Sequence, residues 1–250
     1  MSRRLDGGSQ GAEVPALPVP ERGQTLRAVL FDVDFTLARP GPELMPEGYV
    51  SCGERHGLSL EAVRYEDARA AALVGLKRHP ELDHDEEIWV AFTERVVVGM
   101  GGTEPASHDV AIELTSRWQL HENFELYEDV LPVLEELRQA GLKIGLVSNS
   151  ARDVRDFARH HALAIDAGIS SFHHGKTKPH ASIFKAVLDL LEVAPGEAAM
   201  VGDTFEDDIE GALALGMRAV LVDRLGLGED YQPRIDDLNA LPAVLGLPTL

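Results

Sequence analysis

The stretch Arg27-Ala-Val-Leu-Phe-Asp-Val-Asp-Phe-Thr-Leu37 decides how the rest of the sequence is interpreted. Its apolar start, residues 28–31, has the β-branched and aromatic content of a buried strand. The strand runs directly into Asp32 and Asp34, which the alternation of an extended chain places on the same side. Two carboxylates so close repel each other unless a cation or a shared proton intervenes. The stretch alone leaves open a ligand site at a strand end and a turn whose aspartates cap the next element.

The composition is that of an ordinary globular protein, with 44% hydrophobic and 26% charged residues in 250. A formal net charge of −19 argues against nucleic acid or an anionic membrane surface as a partner. Cys52 is the single cysteine, so the chain can form neither an intrachain disulfide nor a multi-cysteine zinc site. We expect a cytoplasmic protein without a secretory signal or a membrane-spanning segment.

Two parts of the chain differ in texture from the rest. Residues 1–24 are rich in glycine, proline and polar residues, and we expect a disordered tail. Residues 46–121 carry helical periodicity without a strand pattern, which predicts an inserted all-helical domain. Its helical stretches are residues 63–73, 85–100 and 109–118, with Ser107 predicted as the N-cap of the third. The aromatic residues expected in the core of this domain are Trp89, Phe92 and Trp118.

The remaining residues, 25–45 and 122–250, alternate short apolar strands with helices. After the first strand, strands are predicted at residues 142–147, 164–170, 198–201 and 218–222. Helices are predicted at residues 130–140, 152–160, 182–191 and 207–215. Strands that alternate with helices form a parallel sheet through right-handed crossovers. The sequence therefore predicts an α/β fold, with a Rossmann-like parallel sheet core flanked by helices and an inserted all-helical domain.

Three of the predicted strands end in polar residues, and a lysine lies between the last two. The group combines carboxylates, a hydroxyl–amide pair and an ammonium: Asp32, Asp34, Thr36, Ser148, Asn149, Lys178, Asp203, Asp207 and Asp208. In a parallel sheet these strand ends converge on one edge. Carboxylates in excess suit Mg²⁺, and a lysine beside them suits a phosphate. The combination would bring a phosphate dianion to a carboxylate nucleophile, because the cation and the lysine remove their repulsion.

Four segments resemble, in order, the motifs of the haloacid dehalogenase-like (HAD) hydrolase superfamily. They are residues 31–37, residues 146–149, Lys178-Pro179 and residues 202–208. The resemblance spans residues 26–223 and implies an α/β core domain made of residues 25–45 and 122–250. It also implies that residues 46–121 form a helical cap, which closes over the site and chooses the substrate.

The resemblance implies the catalytic and substrate-binding residues. Asp32 would be the nucleophile and form an aspartyl-phosphate. Asp34 would protonate the leaving oxygen and then activate the water that hydrolyses this intermediate. The substrate-binding residues would be Thr36, which also supports Asp34, and Ser148, Asn149 and Lys178.

The resemblance also implies a Mg²⁺ site. The ligands would be the Asp32 carboxylate, the backbone carbonyl of Asp34, and Asp203. Asp208 would contribute directly or through a water molecule, and the part played by Asp207 is left open.

Three positions depart from the family pattern. Phe35 stands where many members carry glycine, which predicts a stiffer turn after the first strand. His180 follows the Lys-Pro pair where aspartate is common, and Asp207 replaces a common asparagine.

Other activities on this fold make different demands on the sequence. Halide departure needs no proton, so Asp34 argues for a phosphate ester over a haloacid. Phosphonate cleavage needs a cap lysine, and Lys77 is the one lysine within residues 46–121. A phosphomutase and a non-catalytic acidic metal-binding module remain as alternatives.

The expected function is that of a Mg²⁺-dependent phosphatase acting on a small metabolite phosphomonoester. The expected partner is this small-molecule phosphate ester, with no nucleic acid and no membrane. The protein would be a monomer or a homodimer. The sequence does not choose among a sugar phosphate, phosphoglycolate and a nucleotide.

Overall fold

A computed structural model describes residues 25–76, 78–226 and 231–247. The tail predicted for residues 1–24 and the cap lysine Lys77 lie outside the described residues. The strands are, in chain order, β1 (Ala28–Phe31), β2 (Ala38–Pro40), β3 (Phe124–Leu126), β4 (Lys143–Ser148), β5 (Ala167–Ser170), β6 (Ala198–Gly202), β7 (Arg218–Val222) and β8 (Arg234–Ile235).

The helices separate and cover these strands. They are α1 (Pro46–Arg55), α2 (Tyr65–Val74), α3 (Glu86–Gly99), α4 (Ala106–Arg117), α5 (Val130–Gln139), α6 (Val154–His160), α7 (Ser171–His174), α8 (Ala181–Leu191), α9 (Gly211–Ala214) and α10 (Leu241–Val244). Short 3₁₀ turns span Pro42–Leu44, Ala62–Arg64, His121–Asn123, Pro195–Glu197 and Leu238–Ala240. In the described part of the chain, no helix combines the length and the apolar character that crossing a membrane requires.

The central sheet is parallel and has the strand order β5-β4-β1-β6-β7-β8. Strand β1 lies between β4 and β6, and Phe31 is in register with both Leu146 and Val201. All four residues of β1 are fully buried, because helices cover both faces of the sheet. The predicted parallel α/β sheet is confirmed. Its register places the carboxyl ends of β1, β4 and β6 side by side at one end of the strands.

Helices α1 to α4 form the inserted helical segment, which has an apolar cluster of its own. Tyr49, Val96, Met100 and Leu114 are among its buried members. The chain leaves and re-enters the sheet region through β2 and β3, which pair antiparallel with Ala38 opposite Leu126. This pairing supports residues 46–121 as the limits of a cap domain, which remain a prediction.

A second connection joins the helical segment to the loop before Lys178. The backbone amide of Thr177 donates to the carbonyl of Leu82 at 2.8 Å, and His84 N donates to Gly175 O at 3.0 Å. Lys176 Nζ forms a salt bridge with Asp83 at 2.6 Å. The loop that carries Lys178 is therefore held from the side of the helical segment as well as by the sheet.

Three sequence predictions for the helical segment are wrong. Trp89 was expected in its core, but it is 40% exposed. Helix α4 begins at Ala106, so Ser107 is a buried first-turn residue whose hydroxyl donates to the carbonyl of Thr103 at 3.1 Å, and it is not the N-cap. Trp118 packs against the sheet-side core, with its ring 5.5 Å from that of Phe124. Helical periodicity alone did not distinguish a residue inside the segment from one that faces the sheet.

The turn after β6 also differs from the prediction of one regular helix. Residues Phe205–Glu210 form a π-helical turn that precedes α9. Such turns widen the helix locally and are frequent at functional sites. This one includes Asp207 and Asp208.

The sheet core predicts unequal effects of two adjacent substitutions in α8. Leu191 is 1% exposed and Leu190 is 60% exposed. Leu191→Ala removes buried methyl groups and is expected to lower the free energy of unfolding by about 2–5 kcal/mol. Leu190→Ala is the matched control and should cost less than about 0.5 kcal/mol. Denaturant unfolding of both variants measures the difference, and equal losses would contradict the described packing.

Candidate active site

Asp32 and Asp34 emerge from β1 through a tight turn. Asp32 N donates to Val201 O at 2.9 Å, so Asp32 continues the pairing of β1 with β6. The turn closes when Leu37 N donates to Val33 O at 2.9 Å. Phe35 has a φ of 63°, in the left-handed region that glycine adopts without strain. Phe35, which was expected to stiffen this turn, therefore has a backbone conformation that is unfavourable for a residue with a side chain.

Lys178 forms a buried ion-pair network with Asp32 and Asp208. Its Nζ lies 2.5 Å from Asp32 Oδ1 and 2.6 Å from Asp208 Oδ1. Burial alone would lower the pKa of Lys178, but the charges and hydrogen bonds of the two carboxylates raise that pKa above its usual value. The lysine therefore stays protonated between two carboxylates and positions the first of them.

Asp208 is fixed by the backbone at the end of β6. Its Oδ2 accepts from Thr204 N at 3.1 Å, while its Oδ1 accepts from Lys178. A Cβ at Gly202 would clash with the Asp208 carboxylate, so this strand must end in glycine. Both oxygens of Asp208 thus have protein donors, and the residue acts as the anchor of Lys178.

Asp203 lies between the sheet edge and the turn after β1. Thr36 is fully buried, and its hydroxyl donates to Asp203 Oδ1 at 3.2 Å. Thr36 was expected to support Asp34 and to bind substrate, whereas its hydroxyl lies on Asp203. The turn after β1 thus positions the carboxylate of Asp203, the residue that follows β6.

Asp32, Asp203 and Asp208 form the acidic cluster, with one carboxylate oxygen of each lying within 4.8 Å of the others. Burial raises the pKa of Asp32 to about 7 against the charge of Lys178, while the charges of Asp208 and Asp34 add to the rise. Burial and the charges of Asp32 and Asp208 raise the pKa of Asp203. The cluster holds more negative charge than the one lysine compensates. All of its donor atoms are carboxylate oxygens, which suit a hard divalent cation.

Asn149 braces the loop that carries Lys178. Lys178 N donates to Asn149 Oδ1 at 2.6 Å, and Asn149 Nδ2 donates to Lys178 O at 3.1 Å. Ser148 is buried at the end of β4, in the adjacent position. The amide of Asn149 is therefore used to position the lysine.

Arg152 is a site residue that the sequence interpretation missed, because it was assigned to the start of a helix. It is 2% exposed, its guanidinium donates to Asp34 Oδ1, and its Nη1 donates to Trp118 O at 2.7 Å. The guanidinium carbon lies 3.8 Å from the ring centroid of Phe124. Its place two residues after Ser150, in the same loop as Ser148 and Asn149, was the available signal. Arg152 holds the Asp34 carboxylate in one orientation.

Asp207 faces the helical segment. Its carboxylate accepts from Arg78 of that segment, and Asn149 Nδ2 lies 3.4 Å from its other oxygen. Arg78 also pairs with Glu206 at 3.0 Å. The extra acid is thus neutralised by an arginine from the helical segment and lies outside the acidic cluster.

A second group of metal-ligating side chains, Cys52, His56 and Glu113, lies within the helical segment. Its carboxylate is already used, since Glu113 accepts from His56, Arg55 and Arg117, each at 2.7 Å. The hydrogen bonds of His56 and Arg55 lower the pKa of Glu113 to about 2. We interpret this group as an ion-pair network that joins α1 to α4.

The comparisons with known proteins agree with this architecture. The family described as haloacid dehalogenase-like hydrolase matches residues 26–216. A glyceraldehyde 3-phosphate phosphatase of Methanopyrus kandleri is 31% identical over 85% of this chain and 90% of its own length. Phosphatase MT3486 of Mycobacterium tuberculosis is 39% identical over 48% of this chain, and that match spans 55% of its own length.

Solved structures of the family share the fold. A HAD phosphatase from Thermococcus onnurineus has a TM-score of 0.62 at 27% identity, covering 90% of this chain and 100% of that one. The HAD-hydrolase YfnB from Bacillus subtilis has a TM-score of 0.69 at 18% identity, over 90% and 100% of the two chains. The chain therefore belongs to the haloacid dehalogenase-like hydrolase family.

The Arg152 network predicts a stability difference between two arginines, Arg152 before α6 and Arg155 in its first turn. Arg152→Met leaves the Asp34 carboxylate and the carbonyl of Trp118 without their donor, and it is expected to cost about 3 kcal/mol of unfolding free energy. Arg155→Met is the control, because that side chain is 63% exposed and pairs locally with Asp153. It should change stability by less than about 0.5 kcal/mol. Urea unfolding of the two variants measures both values, and a cost for Arg152→Met as small as that of the control would contradict the network.

Proposed function

We propose that this protein is a Mg²⁺-dependent phosphatase that hydrolyses a small metabolite phosphomonoester through an aspartyl-phosphate on Asp32. The observation that carries the proposal is the buried contact of Lys178 Nζ with Asp32 at 2.5 Å, beside an acidic cluster with room for a cation. A carboxylate next to an ammonium and a divalent cation can approach a phosphate dianion. The named phosphatases among its relatives support this reaction class.

The donor chemistry of the acidic cluster fits Mg²⁺. Asp32 and Asp203 supply carboxylate oxygens, and the backbone carbonyl of Asp34 supplies a third ligand in this proposal. Asp208 stays a predicted ligand, although its oxygens accept from Lys178 and Thr204. Burial, together with the charges of Asp208 and Asp34, raises the pKa of Asp32 to about 7, and a divalent cation would favour the ionised form of this carboxyl. Bound there, Mg²⁺ would polarise the phosphoryl group.

In the first step, an Asp32 carboxylate oxygen attacks phosphorus and the bond from phosphorus to the leaving oxygen breaks. Asp34, as the protonated acid, transfers its proton to that oxygen, and the alcohol departs. Lys178 favours the ionised form of Asp32 and interacts with the phosphoryl oxygens. Ser148, at the end of β4, would bind the same phosphoryl oxygens.

In the second step, Asp34 is a carboxylate and takes a proton from water as the water oxygen attacks phosphorus. The bond from phosphorus to the Asp32 oxygen breaks, which restores the Asp32 carboxylate and releases inorganic phosphate. Asp34 must therefore face first the leaving oxygen and then a water molecule in the same place. The contact with Arg152 holds it in one orientation for both tasks.

The substrate belongs to the small phosphorylated metabolites. The relatives' names include a glyceraldehyde 3-phosphate phosphatase and a ribulose-1,5-bisphosphate 5-phosphatase. These substrates share a phosphomonoester on a carbon chain and differ in the rest of the leaving group. We propose that the helical segment selects among such esters, that the protein acts in the cytoplasm, and that it works as a monomer or homodimer.

The nucleophile assignment predicts the outcome of a matched pair of substitutions. Asp32→Asn should lower phosphate release from 4-nitrophenyl phosphate and from a metabolite panel by about a thousandfold or more. Asp189→Asn, an exposed position in α8, should retain wild-type activity. EDTA should abolish the wild-type activity and Mg²⁺ should restore it. If the folded wild type releases no phosphate from any ester, the hydrolase proposal fails and the phosphomutase and non-catalytic alternatives replace it.

The metal assignment separates Asp203 from Asp207. Asp203→Asn removes a proposed ligand and should weaken Mg²⁺ binding by about tenfold or more. Asp207→Asn removes an acid that pairs with Arg78 and should change the affinity by less than about threefold. Isothermal titration of each variant with Mg²⁺ alone gives the dissociation constants. Equal weakening by the two substitutions would contradict the assignment.

A further inference from the structure

Three basic side chains in or near the acidic cluster already have carboxylate partners. Lys178 pairs with Asp32 and Asp208, and Arg152 pairs with Asp34. Arg78, from the helical segment, pairs with Asp207 and Glu206. Lys178 keeps a third donor, which the proposed function assigns to the transferring phosphoryl group, whereas the charges of Arg152 and Arg78 already face carboxylates.

Arg69 of α2 is different. Its guanidinium carbon lies 5.7 Å from the ring centroid of Phe35, and among the described residues no carboxylate forms a salt bridge with it. Burial raises the pKa of Tyr49 and of Tyr65, and the positive charge of Arg69 opposes both shifts. The Arg69 side chain is therefore half-buried, and it has no salt-bridge partner in the described part of the chain.

Phe35 links Arg69 to the turn after β1, which carries Asp34. It is the residue between Asp34 and Thr36, and its left-handed φ of 63° costs about 1 kcal/mol or more. Its half-buried ring lies 6.4 Å from the ring of Trp118 on one side and beneath Arg69 on another. A role for the ring would explain why an aromatic residue occupies so unfavourable a backbone conformation. That role would be to support the Arg69 guanidinium of the helical segment.

The position of Phe35 indicates which part of a substrate Arg69 meets. A general acid lies within hydrogen-bond reach of the leaving oxygen, so the leaving group extends past Asp34. Phe35 follows Asp34 directly, and Arg69 covers its ring from the helical segment. A substituent a few bonds beyond the leaving oxygen would reach the guanidinium.

The charge balance indicates what that substituent is. The acidic cluster repels any second negative charge on a substrate, so an unpaired and partly desolvated guanidinium on the same side counteracts that repulsion. The planar donor fork of arginine matches a carboxylate or a phosphate. We propose that Arg69, supported by Phe35, forms a subsite for a second anionic group, a carboxylate or a phosphate, on the leaving group of the substrate. This subsite rests on the proposed phosphatase function.

The test uses three phosphomonoesters that share a two-carbon leaving group. They are 2-phosphoglycolate, ethane-1,2-diyl bisphosphate and 2-hydroxyethyl phosphate, which carry a carboxylate, a phosphate and a neutral hydroxyl. The wild type should prefer at least one of the two anionic esters over the neutral one by about tenfold in kcat/KM. Which of them is preferred identifies the anion.

Arg69→Gln should raise KM for the preferred anionic ester by about tenfold and leave KM and kcat for the neutral ester within about twofold. Arg69→Lys should recover part of the loss, because it restores the charge without the planar fork. Arg64→Gln, an exposed arginine just before α2 that pairs with Glu61, is the control and should leave all values unchanged. If Arg69→Gln impairs all esters alike, Arg69 serves only in packing against Phe35 and the proposal is overturned.

A binding arm separates the subsite from the reaction. Three non-hydrolysable phosphonates, 3-phosphonopropionate, butane-1,4-diylbisphosphonate and the neutral-ended 3-hydroxypropylphosphonate, are titrated into the Mg²⁺-loaded wild type and into Arg69→Gln. The subsite is supported if the wild type binds an anionic ligand more tightly than the neutral-ended one and Arg69→Gln loses this preference. This result would hold even if no ester is hydrolysed and the phosphatase function fails. Equal affinities for anionic and neutral ligands in the wild type overturn it.

Discussion

The ion pairs of Lys178 with Asp32 and Asp208 are the contacts on which the site depends. Burying several carboxylates next to one another is costly unless a counter-charge lies among them. One buried lysine supplies part of that charge, while burial and the charges of Asp208 and Asp34 still raise the pKa of Asp32 to about 7. A divalent cation would supply the rest of the positive counter-charge. The proposed metal dependence therefore follows from the shortage of positive charge among the buried carboxylates.

The sheet makes this arrangement possible. The register of β1 between β4 and β6 brings Asp32, Ser148 and Asp203 to one edge, although they lie far apart in the sequence. Gly202 leaves the space that the Asp208 carboxylate fills, and Asn149 holds the backbone of Lys178 through two hydrogen bonds. Asp32, Ser148 and Asp203 are therefore positioned by strand ends, whereas Lys178 and Asp34 are held by contacts with Asn149 and Arg152.

The parallel sheet and the convergence of its polar strand ends could be predicted from the sequence. Short apolar runs followed by acids are a local pattern, and parallel topology forces such ends together. The partner of each acid could not be predicted, because it depends on distances between elements. Arg152 was predicted to begin a helix, but it contacts Asp34. The Thr36 hydroxyl was expected on Asp34 and donates to Asp203, and Trp118 was expected in the helical segment and packs against the sheet. In the sequence, Arg69 resembles the other charged residues of its helix, because only the structure shows that its guanidinium lies over the ring of Phe35.

The most direct test of the account is to trap the phosphoryl group on the Asp34→Asn variant. With 4-nitrophenyl phosphate the leaving group needs no proton, so Asp32 should be phosphorylated, while the missing base should prevent hydrolysis of the intermediate. The account predicts a burst of about one nitrophenolate per protein molecule. Peptide mass analysis should then find one phosphoryl group on Asp32, converted to homoserine at that position by borohydride reduction. A phosphoryl group on any other residue, or slow continuous release of nitrophenolate with no labelled peptide, would contradict Asp32 as the nucleophile.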